Sequence, residues 1–592
     1  MENLKTPVAP GPNIPRNKLP FKFNWNWNAI FFYSVFIATA YFVLVPLVTL
    51  VYSSFNAGKG RLPFEEAGFT FDNYIKVFTD PVTFTIVGNT VVFAIGAIST
   101  AMIFAIFLAW TLERSNIPGR MVLYGLILVP MAIPNVIYAI SWTQLLDPTI
   151  GLINLGFQGL FGFEKGPFNV YTLPGMFFIQ GIHMVPTSFL MIAATFKTLD
   201  PSLEEQSAIC GKNVFTTTRR ITLPILRPAI LAAIIYFLIV AIETFEIPGT
   251  LGLTARKPLL STQIYYASSP IAGQMPDYGF VSVLGAILLI FALILITIYQ
   301  KLTRNSERFA TVTGKGYRPK RMDLGKWKIP VTIGVWVFVI MSVFLPFIVL
   351  IWTSLHPYYV KPSLETLKSV SFAAYVEVFN EPKMGEIIGN TLILTIGAGI
   401  ATAVLGMLIG WLVVKSSFGT KARQALNTLS FVPQAVPAIV TGLALMFFYI
   451  RMPFGLYGTL WLLIIGVMTR YLAFTSRSYI SAQMQISKEL EEASVVCGAS
   501  LPRTMRKILI PLMGPVILNT FLWVAVHAMR ELSVVIMLYS PKSLVISTKI
   551  WSYWEGGWTA KASVLGVFLI IILSILVFGG QMLVNRLSKK YV

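Results

Sequence analysis

The chain has 592 residues, 55% of them hydrophobic and 12% charged, with a mean hydropathy of +0.72. Repeated apolar runs long enough to cross a bilayer, about 18 residues or more, exclude a soluble globular protein and indicate a polytopic membrane protein. The net charge of +21 does not require nucleic acid as a partner, because the Lys and Arg residues lie in short loops beside apolar segments, where the anionic headgroups of a lipid bilayer attract them.

Residues 1–27 hold no short apolar region with a cleavage site and read as a cytoplasmic tail, with Trp25 and Trp27 placed for an interfacial belt. A helix needs about 20 apolar residues to cross about 30 Å of hydrocarbon. That length picks out twelve spans, at 28–53, 84–111, 121–146, 172–196, 226–252, 279–301, 329–354, 386–414, 424–450, 458–480, 513–539 and 562–585. With a cytoplasmic N-terminus most Lys and Arg fall on the inside, so both termini are expected there.

Motifs of the first half return in the second. Phe71, Tyr74, Val77, Phe78 and Pro81 recur as Phe372, Tyr375, Val378, Phe379 and Pro382. Gly88-Asn89-Thr90 recurs as Gly389-Asn390-Thr391, and Val129, Pro130 and Pro134 recur as Val432, Pro433 and Pro437. The expected fold is therefore all-α, with two homologous six-helix halves at 28–302 and 329–592. An even number of spans gives both halves the same orientation, a parallel repeat. A polar cytoplasmic linker, 303–328, joins them. Its Gly314-Lys315 imitates a phosphate loop, but Phe309 stands at the first glycine position and Gly316 replaces the Ser or Thr, so it is no nucleotide site.

The strongest signal is a loop written twice at an offset of 287 residues, in 199–224 and 486–511. Glu205, Gly211, Ile221, Leu223 and Pro224 return as Glu492, Gly498, Ile508, Ile510 and Pro511. Ser202 and Glu205 have capping-box spacing, Pro201 discourages upstream helix, Gly211 can end a helix in a left-handed turn and Asn213 can cap the next. Ser487, Gly498, Ser500 and Pro502 repeat the plan. Lys212, Arg219, Arg220, Arg503, Arg506 and Lys507 could meet an acidic soluble partner or lipid headgroups; two equivalent copies favour the partner. Cys210 and Cys497, the only cysteines, precede the two glycines and suit packing beside the turn; they are too few for a disulfide framework or a zinc site.

This pair of loops resembles the EAA loop of type I permeases of ATP-binding-cassette importers, in which a coupling helix sits in a groove of the ATPase. The resemblance implies that Glu205, Gly211, Ile221, Leu223, Pro224, Glu492, Ala493, Gly498, Ile508, Ile510 and Pro511 form two ATPase-docking sites. It departs at Gln206-Ser207, where the family has two Ala; the second copy keeps Ala493 before Ser494. It further implies two ATPase subunits, an extracellular or periplasmic binding protein, a bacterial inner-membrane location, and no cofactor on this chain, since ATP is bound by the partners. Arg530-Glu531-Leu532-Ser533 and Leu538-Tyr539-Ser540-Pro541 look most like the iron(III) branch, while permeases for thiamine, phosphonates, polyamines and sulfate share much of the plan.

Ionisable residues inside a membrane are costly and mark a cavity or a partner. His183 and Arg470, related by the same offset, with Glu243, Glu246, Arg530 and Glu531 near the outer ends of spans five and eleven, are the candidates for a translocation path or for helix-to-helix pairing. Glu246 precedes Pro248 and Gly249, where an interrupted helix can unwind beside a cavity. No metal site is expected. A secondary transporter has no reason to carry two docking loops, and with three His and no HExxH a membrane enzyme lacks a catalytic constellation.

Overall fold

In the computed structural model the described residues are 25–56, 68–200, 202–269, 276–303, 322–416 and 418–591. The tail before Trp25, Pro201 and most of the linker, Gly314 and Lys315 included, lie outside them.

The first half begins with α1 (Trp25–Ser54), the short amphipathic α2 (Asp72–Thr79) and the long α3 (Pro81–Arg114). Asp80 caps α3 by accepting the Val82 N–H at 2.9 Å, and Pro81 occupies its first turn, where a missing N–H costs nothing. Next come α4 (Arg120–Leu128) and α5 (Asn135–Leu146), α6 (Leu152–Phe161), α7 (Leu173–Thr198), the loop helices α8 (Ser202–Ile209) and α9 (Val214–Thr217), α10 (Leu223–Glu243), α11 (Glu246–Ala255), α12 (Leu260–Ser268) and α13 (Tyr278–Thr303). The second half runs α14 (Lys328–Val339), α15 (Leu345–Ser354), α16 (Ala373–Phe379), α17 (Met384–Lys415), α18 (Thr420–Phe431), α19 (Ala438–Tyr449) and α20 (Leu460–Gln485). It ends with α21 (Lys488–Val496), α22 (Leu501–Thr504), α23 (Ile510–Leu512), α24 (Gly514–Arg530), α25 (Val535–Leu538), α26 (Ile546–Glu555) and α27 (Thr559–Tyr591). Among the described residues extended pairing is confined to two isolated bridges.

Among the described residues eight helices are long and apolar enough to span a membrane, and eleven segments are if each sharply bent pair is one span. The twelfth expected span, 458–480, coincides with α20, whose Arg470, Thr475, Ser476 and Arg477 make it less apolar. Four spans differ from the straight rods expected: 121–146 and 424–450 are sharply bent, 226–252 breaks at Thr244-Phe245, and 513–539 breaks after Arg530. The pair α4–α5 bends by 104° and α18–α19 by 108°, each through a 3₁₀ turn that carries Pro130 or Pro433 and then Pro134 or Pro437. The helices on either side of Met513 bend by 64°. Beyond the first bends, α5 and α19 are buried almost all round, as uniformly apolar core helices are.

The halves interleave. α1 packs on α18 and α19 of the second half, while α14 and α15 pack on α4 and α5 of the first. The end of the linker is stitched to the α3–α4 turn: Met322 N–H donates to Arg114 O at 2.8 Å, and Asn116 Nδ2 donates to Asp323 Oδ1 at 2.6 Å.

One departure from the repeat is the segment between α5 and α7, which is longer than its counterpart between α19 and α20 and contains α6. Buried Asn154 holds it: Nδ2 donates to Asp147 O at 2.9 Å and Phe168 O at 2.8 Å, and Oδ1 accepts the Phe168 N–H at 3.0 Å. Asn154→Leu leaves these backbone groups unpaired and is expected to cost about 2–3 kcal/mol locally. Limited proteolysis should then cut within 147–172 while the remaining chain stays intact; unchanged cleavage would count against this role.

Candidate functional site

Each repeated loop is a helix, a left-handed glycine turn and a second helix. Gly211 has φ +72° and Gly498 φ +76°, with open space where a Cβ would stand, so backbone conformation and not crowding selects glycine. Asn213 Oδ1 accepts the Thr216 N–H at 2.8 Å, as its position suggests. The cap of α8 differs from expectation. Asp200, not Ser202, fills that role, accepting the Ser202 N–H at 2.9 Å, and its repeat equivalent Ser487 caps α21.

Inside the loop the two copies use the same bonds. Ser207 and Thr217 hydroxyls meet at 2.8 Å, and so do Ser494 and Thr504. Both loops leave through a π turn, Thr218–Thr222 and Met505–Leu509, just before Pro224 and Pro511. Ile221, Leu223, Pro224, Ile508 and Pro511 are half-buried along this exit, and Ile510 is exposed.

The tie to the membrane helices comes from the neighbouring glutamates, which the sequence reading passed over. Buried Glu204 accepts the Thr222 hydroxyl at 2.7 Å and lies 3.3 Å from the Arg114 guanidinium at the end of α3. Arg114 also donates to Phe196 O and Leu199 O, both at 2.8 Å, closing the end of α7. In the second copy Lys415, at the end of α17, pairs with Glu491 at 2.8 Å and donates to Ile486 O at 2.9 Å. Glu205, Glu492 and Ala493 face outward, as do the six basic residues. Cys210 and Cys497 are exposed, which corrects the packing role expected for them. Beside them Ile209 is 85% exposed, Phe215 74% and Val496 72%, so the loop surface is apolar with a basic border.

A second constellation lies at the seam of the halves. The bends before α5 and α19 free backbone carbonyls inside the protein, and half-buried basic side chains meet them. His183 Nε2 donates to Ile133 O at 3.3 Å; its repeat equivalent Arg470 donates to Val436 O at 2.8 Å, and Arg530 donates to Met131 O. Arg470 also pairs with Glu243 of the other half at 2.6 Å, both side chains mostly buried. Glu531 accepts the Tyr471 hydroxyl and the Val534 N–H. Glu246 accepts the Ser533 hydroxyl at 2.7 Å and Asn135 Nδ2 at 3.3 Å; Glu246 and Ser533 are 287 residues apart, so two repeat equivalents touch at the axis of the duplication.

The structure thus gathers all six membrane candidates into one region with protein partners. The helix break lies at Thr244-Phe245, ahead of Glu246, while Pro248 and Gly249 sit inside α11, where a first-turn proline is tolerated. Asn135, Tyr471 and Ser533 were missed; the repeated Pro130…Pro134 and Pro433…Pro437 pattern was the available sign that carbonyls would need partners. Among the described residues no group of three His, Cys, Asp or Glu is placed to hold a metal ion.

Two related helical halves with charges satisfied at their seam, each carrying a built loop, define a fused two-domain membrane permease. The family model described as "Binding-protein-dependent transport system inner membrane component" matches residues 97–308 and again 402–590, and the chain belongs to this family of multi-pass inner membrane proteins, the permeases of ATP-binding-cassette importers. It is 27% identical over 555 residues to the ferric transport system permease protein FbpB of Actinobacillus pleuropneumoniae, covering 91% of this chain and 76% of that protein. A putative 2-aminoethylphosphonate transport system permease protein, PhnV of Salmonella typhimurium, is 24% identical over 203 residues, 34% of this chain and 77% of that one. A solved bacterial ABC transporter involved in alginate import aligns with a TM-score of 0.36 at 19% identity, over 44% of this chain and 96% of the other.

Removing one partner from the Glu243–Arg470 pair strands a buried charge. Glu243→Gln is expected to destabilise the protein by about 3–5 kcal/mol, and Glu243→Gln with Arg470→Met to recover part of that loss. Thermal unfolding of the single and double variants in nanodiscs measures both; equal melting of wild type and Glu243→Gln would show that the pair carries no stability.

Proposed function

We propose that the chain is the translocation subunit of an ATP-driven importer, with one ATPase subunit docking on each repeated loop and a binding protein delivering cargo at the opposite face. The observation that carries this reading is the loop's construction. An exposed apolar surface at Ile209 and Val496 is backed by buried Glu204 and half-buried Glu491, which tie it to the ends of α3 and α17. A partner moving the loop therefore moves spanning helices. Glu205, Gly211, Glu492, Ala493 and Gly498 line or shape the contact, and Ile221, Leu223, Pro224, Ile508, Ile510 and Pro511 form the exits that carry the motion into α10 and α24. The loops and both termini are on the cytoplasmic side. Hydrolysis belongs to the ATPase subunits, and this chain needs no cofactor of its own.

For the cargo we propose iron(III). The support is the ferric permease likeness over most of the chain, against a phosphonate permease likeness over a third of it. In the outward-open state the seam residues His183, Glu243, Glu246, Arg470, Arg530 and Glu531 line the path.

Cys210 and Cys497 are the chain's only thiols, and both stand exposed beside the proposed dock, so they report on it directly. In nanodiscs the candidate ATPase should protect both from maleimide. The pair of substitutions Ile209→Asp and Val496→Asp should abolish protection and co-purification without changing the melting temperature, because both side chains are exposed. Full labelling in the presence of a bound ATPase would overturn the docking assignment.

A further inference from the structure

The repeated motif Phe71, Tyr74, Val77, Phe78 and Pro81, with its copy Phe372, Tyr375, Val378, Phe379 and Pro382, has no part in the loops or the seam. It folds as α2 and α16, each lying between the end of one span and the start of the next. The inward side is built alike in both copies. The Tyr74 and Ser54 hydroxyls meet at 2.7 Å and those of Tyr375 and Ser354 at 2.8 Å, which ties each short helix to the last residue of α1 or α15, and Val77 and Val378 are fully buried. A charge pair then ties each to the start of the last span of its half: Lys76 to Asp277 at 2.6 Å, just before α13, and Glu377 to Lys561 at 2.5 Å, in α27. The contact is kept while its charges are exchanged. The outward side is apolar in both copies. Phe71, Ile75 and Phe78, like Phe372, Val376 and Phe379, recur at helical spacing and are all exposed.

α3 ends at Arg114 beside the first loop and α17 at Lys415 beside the second. Their 34 and 32 residues make rods about 50 Å long, so α2 and α16 lie at the face opposite the loops. There the stripe of α2 is followed at once by exposed Val82 and Phe84 of α3, and α17 continues beyond α16 with exposed Ile393, Ile396 and Ile400, the side chains that spanning helices turn to acyl chains. We infer that α2 and α16 are interfacial anchors, their Phe71-Ile75-Phe78 and Phe372-Val376-Phe379 faces seated in lipid at the boundary of headgroups and acyl chains, in the leaflet away from the loops. A short helix with an apolar stripe and a charged flank takes that depth, its rings in the boundary layer and Asp72, Lys76 or Glu377 at headgroup level. Aromatic rings gather around the start of the first stripe, with Phe55 5.4 Å from Phe71 and Tyr52 5.4 Å from Phe69 between centroids, as an interfacial belt requires. The occupant is lipid rather than a delivered protein. α2 packs on α3 and α13, and α16 on α17 and α27, all of their own half, and each stripe faces away from that packing, whereas a protein serving the seam must reach the place where the halves meet. Through the Lys76–Asp277 and Glu377–Lys561 pairs the anchors give the last span of each half a fixed depth in the bilayer.

Nitroxide labels measure the depth. In the full chain carrying Cys210→Ser and Cys497→Ser, in nanodiscs of phosphatidylethanolamine and phosphatidylglycerol, labels at Ile75→Cys and Val376→Cys should collide more with oxygen, which concentrates among acyl chains, than with a water-soluble nickel chelate. A label at Asp72→Cys, on the charged flank of α2, should show the reverse order. More nickel than oxygen contact at Ile75→Cys and Val376→Cys would put both stripes in water and overturn the anchors. The candidate binding protein should leave both collision rates unchanged; loss of both on its addition would make the stripes a protein dock and equally overturn the proposal. The wild type supplies a second measurement that needs no substitution. A phospholipid with a diazirine at the glycerol end of its acyl chain should, on irradiation, label the peptides that contain Phe71–Phe78 and Phe372–Phe379, and labelling of α3 and α17 without these peptides would overturn the assignment. Neither measurement depends on the solute carried or on ATPase docking, so the anchors stand or fall separately from the proposed function.

Discussion

Inside a bilayer every backbone group released by breaking a helix must find a partner within the protein. That constraint organises the seam. Pro130 and Pro134, with Pro433 and Pro437, turn two spans through more than 100° and free the carbonyls of Met131, Ile133 and Val436. Strong donors are needed there, and His183, Arg470 and Arg530 supply them. Two of these bring permanent charge into the membrane, which then requires a counter-charge; Glu243 provides it for Arg470 from the other half. The ion pair between the halves is thus a consequence of the bends, and the bends are what pack α5 and α19 into the core.

Duplication alone would not allow this arrangement. At the axis of a symmetric dimer each residue meets its own copy, so a glutamate at the position of Glu246 would face a second glutamate across it. In this chain the equivalents have diverged: His183 to Arg470, Glu243 to Arg530, Thr244 to Glu531, and Glu246 to Ser533. Glu246 consequently meets a hydroxyl donor, and Glu243 meets a guanidinium. Fusing the halves lets each accumulate the complement of the other, while positions that serve only local geometry remain duplicated. The Ser207–Thr217 and Ser494–Thr504 pairs and the positive-φ glycines are of that second kind.

The class, the duplication and the loops were legible in the sequence because they are local or periodic: span length, a repeated spacing, a glycine after a helix. Choosing Glu205 over Glu204 as the notable acid was harder. On α8, Glu204 and Ser207 are three residues apart and share the buried face, and Glu491 and Ser494 repeat that spacing; which face is inward depends on where α3 and α17 end. The two cysteines fall on the opposite, outward side for the same reason. The pairing of Glu243 with Arg470 joins residues 227 apart in sequence and cannot be read from any window. Nor can the interleaving of α1 and of α14–α15 with the opposite halves, since a span of uniform apolarity carries no record of its neighbour.

Loop and seam are joined by helices, in the first half by a single rod. α10 begins at Leu223, where the first loop exits through its π turn, and ends at Glu243 in the ion pair; the second loop reaches Arg530 through α23, the 64° bend at Met513 and α24. A rod of this kind transmits displacement with little loss, since its hydrogen bonds are internal and its side chains are packed. A shift applied at α8–α9 therefore reaches Glu243 as motion relative to Arg470, which is anchored on the other half through Val436 O. The seam resists until the ion pair and the Glu246–Ser533 bond part together, and once parted the freed carboxylates and guanidiniums need new partners. Water in an opened cavity, or a cation arriving from outside, can supply them. If a partner docks on the loops as proposed, this path lets it bias the seam between a closed and a parted arrangement.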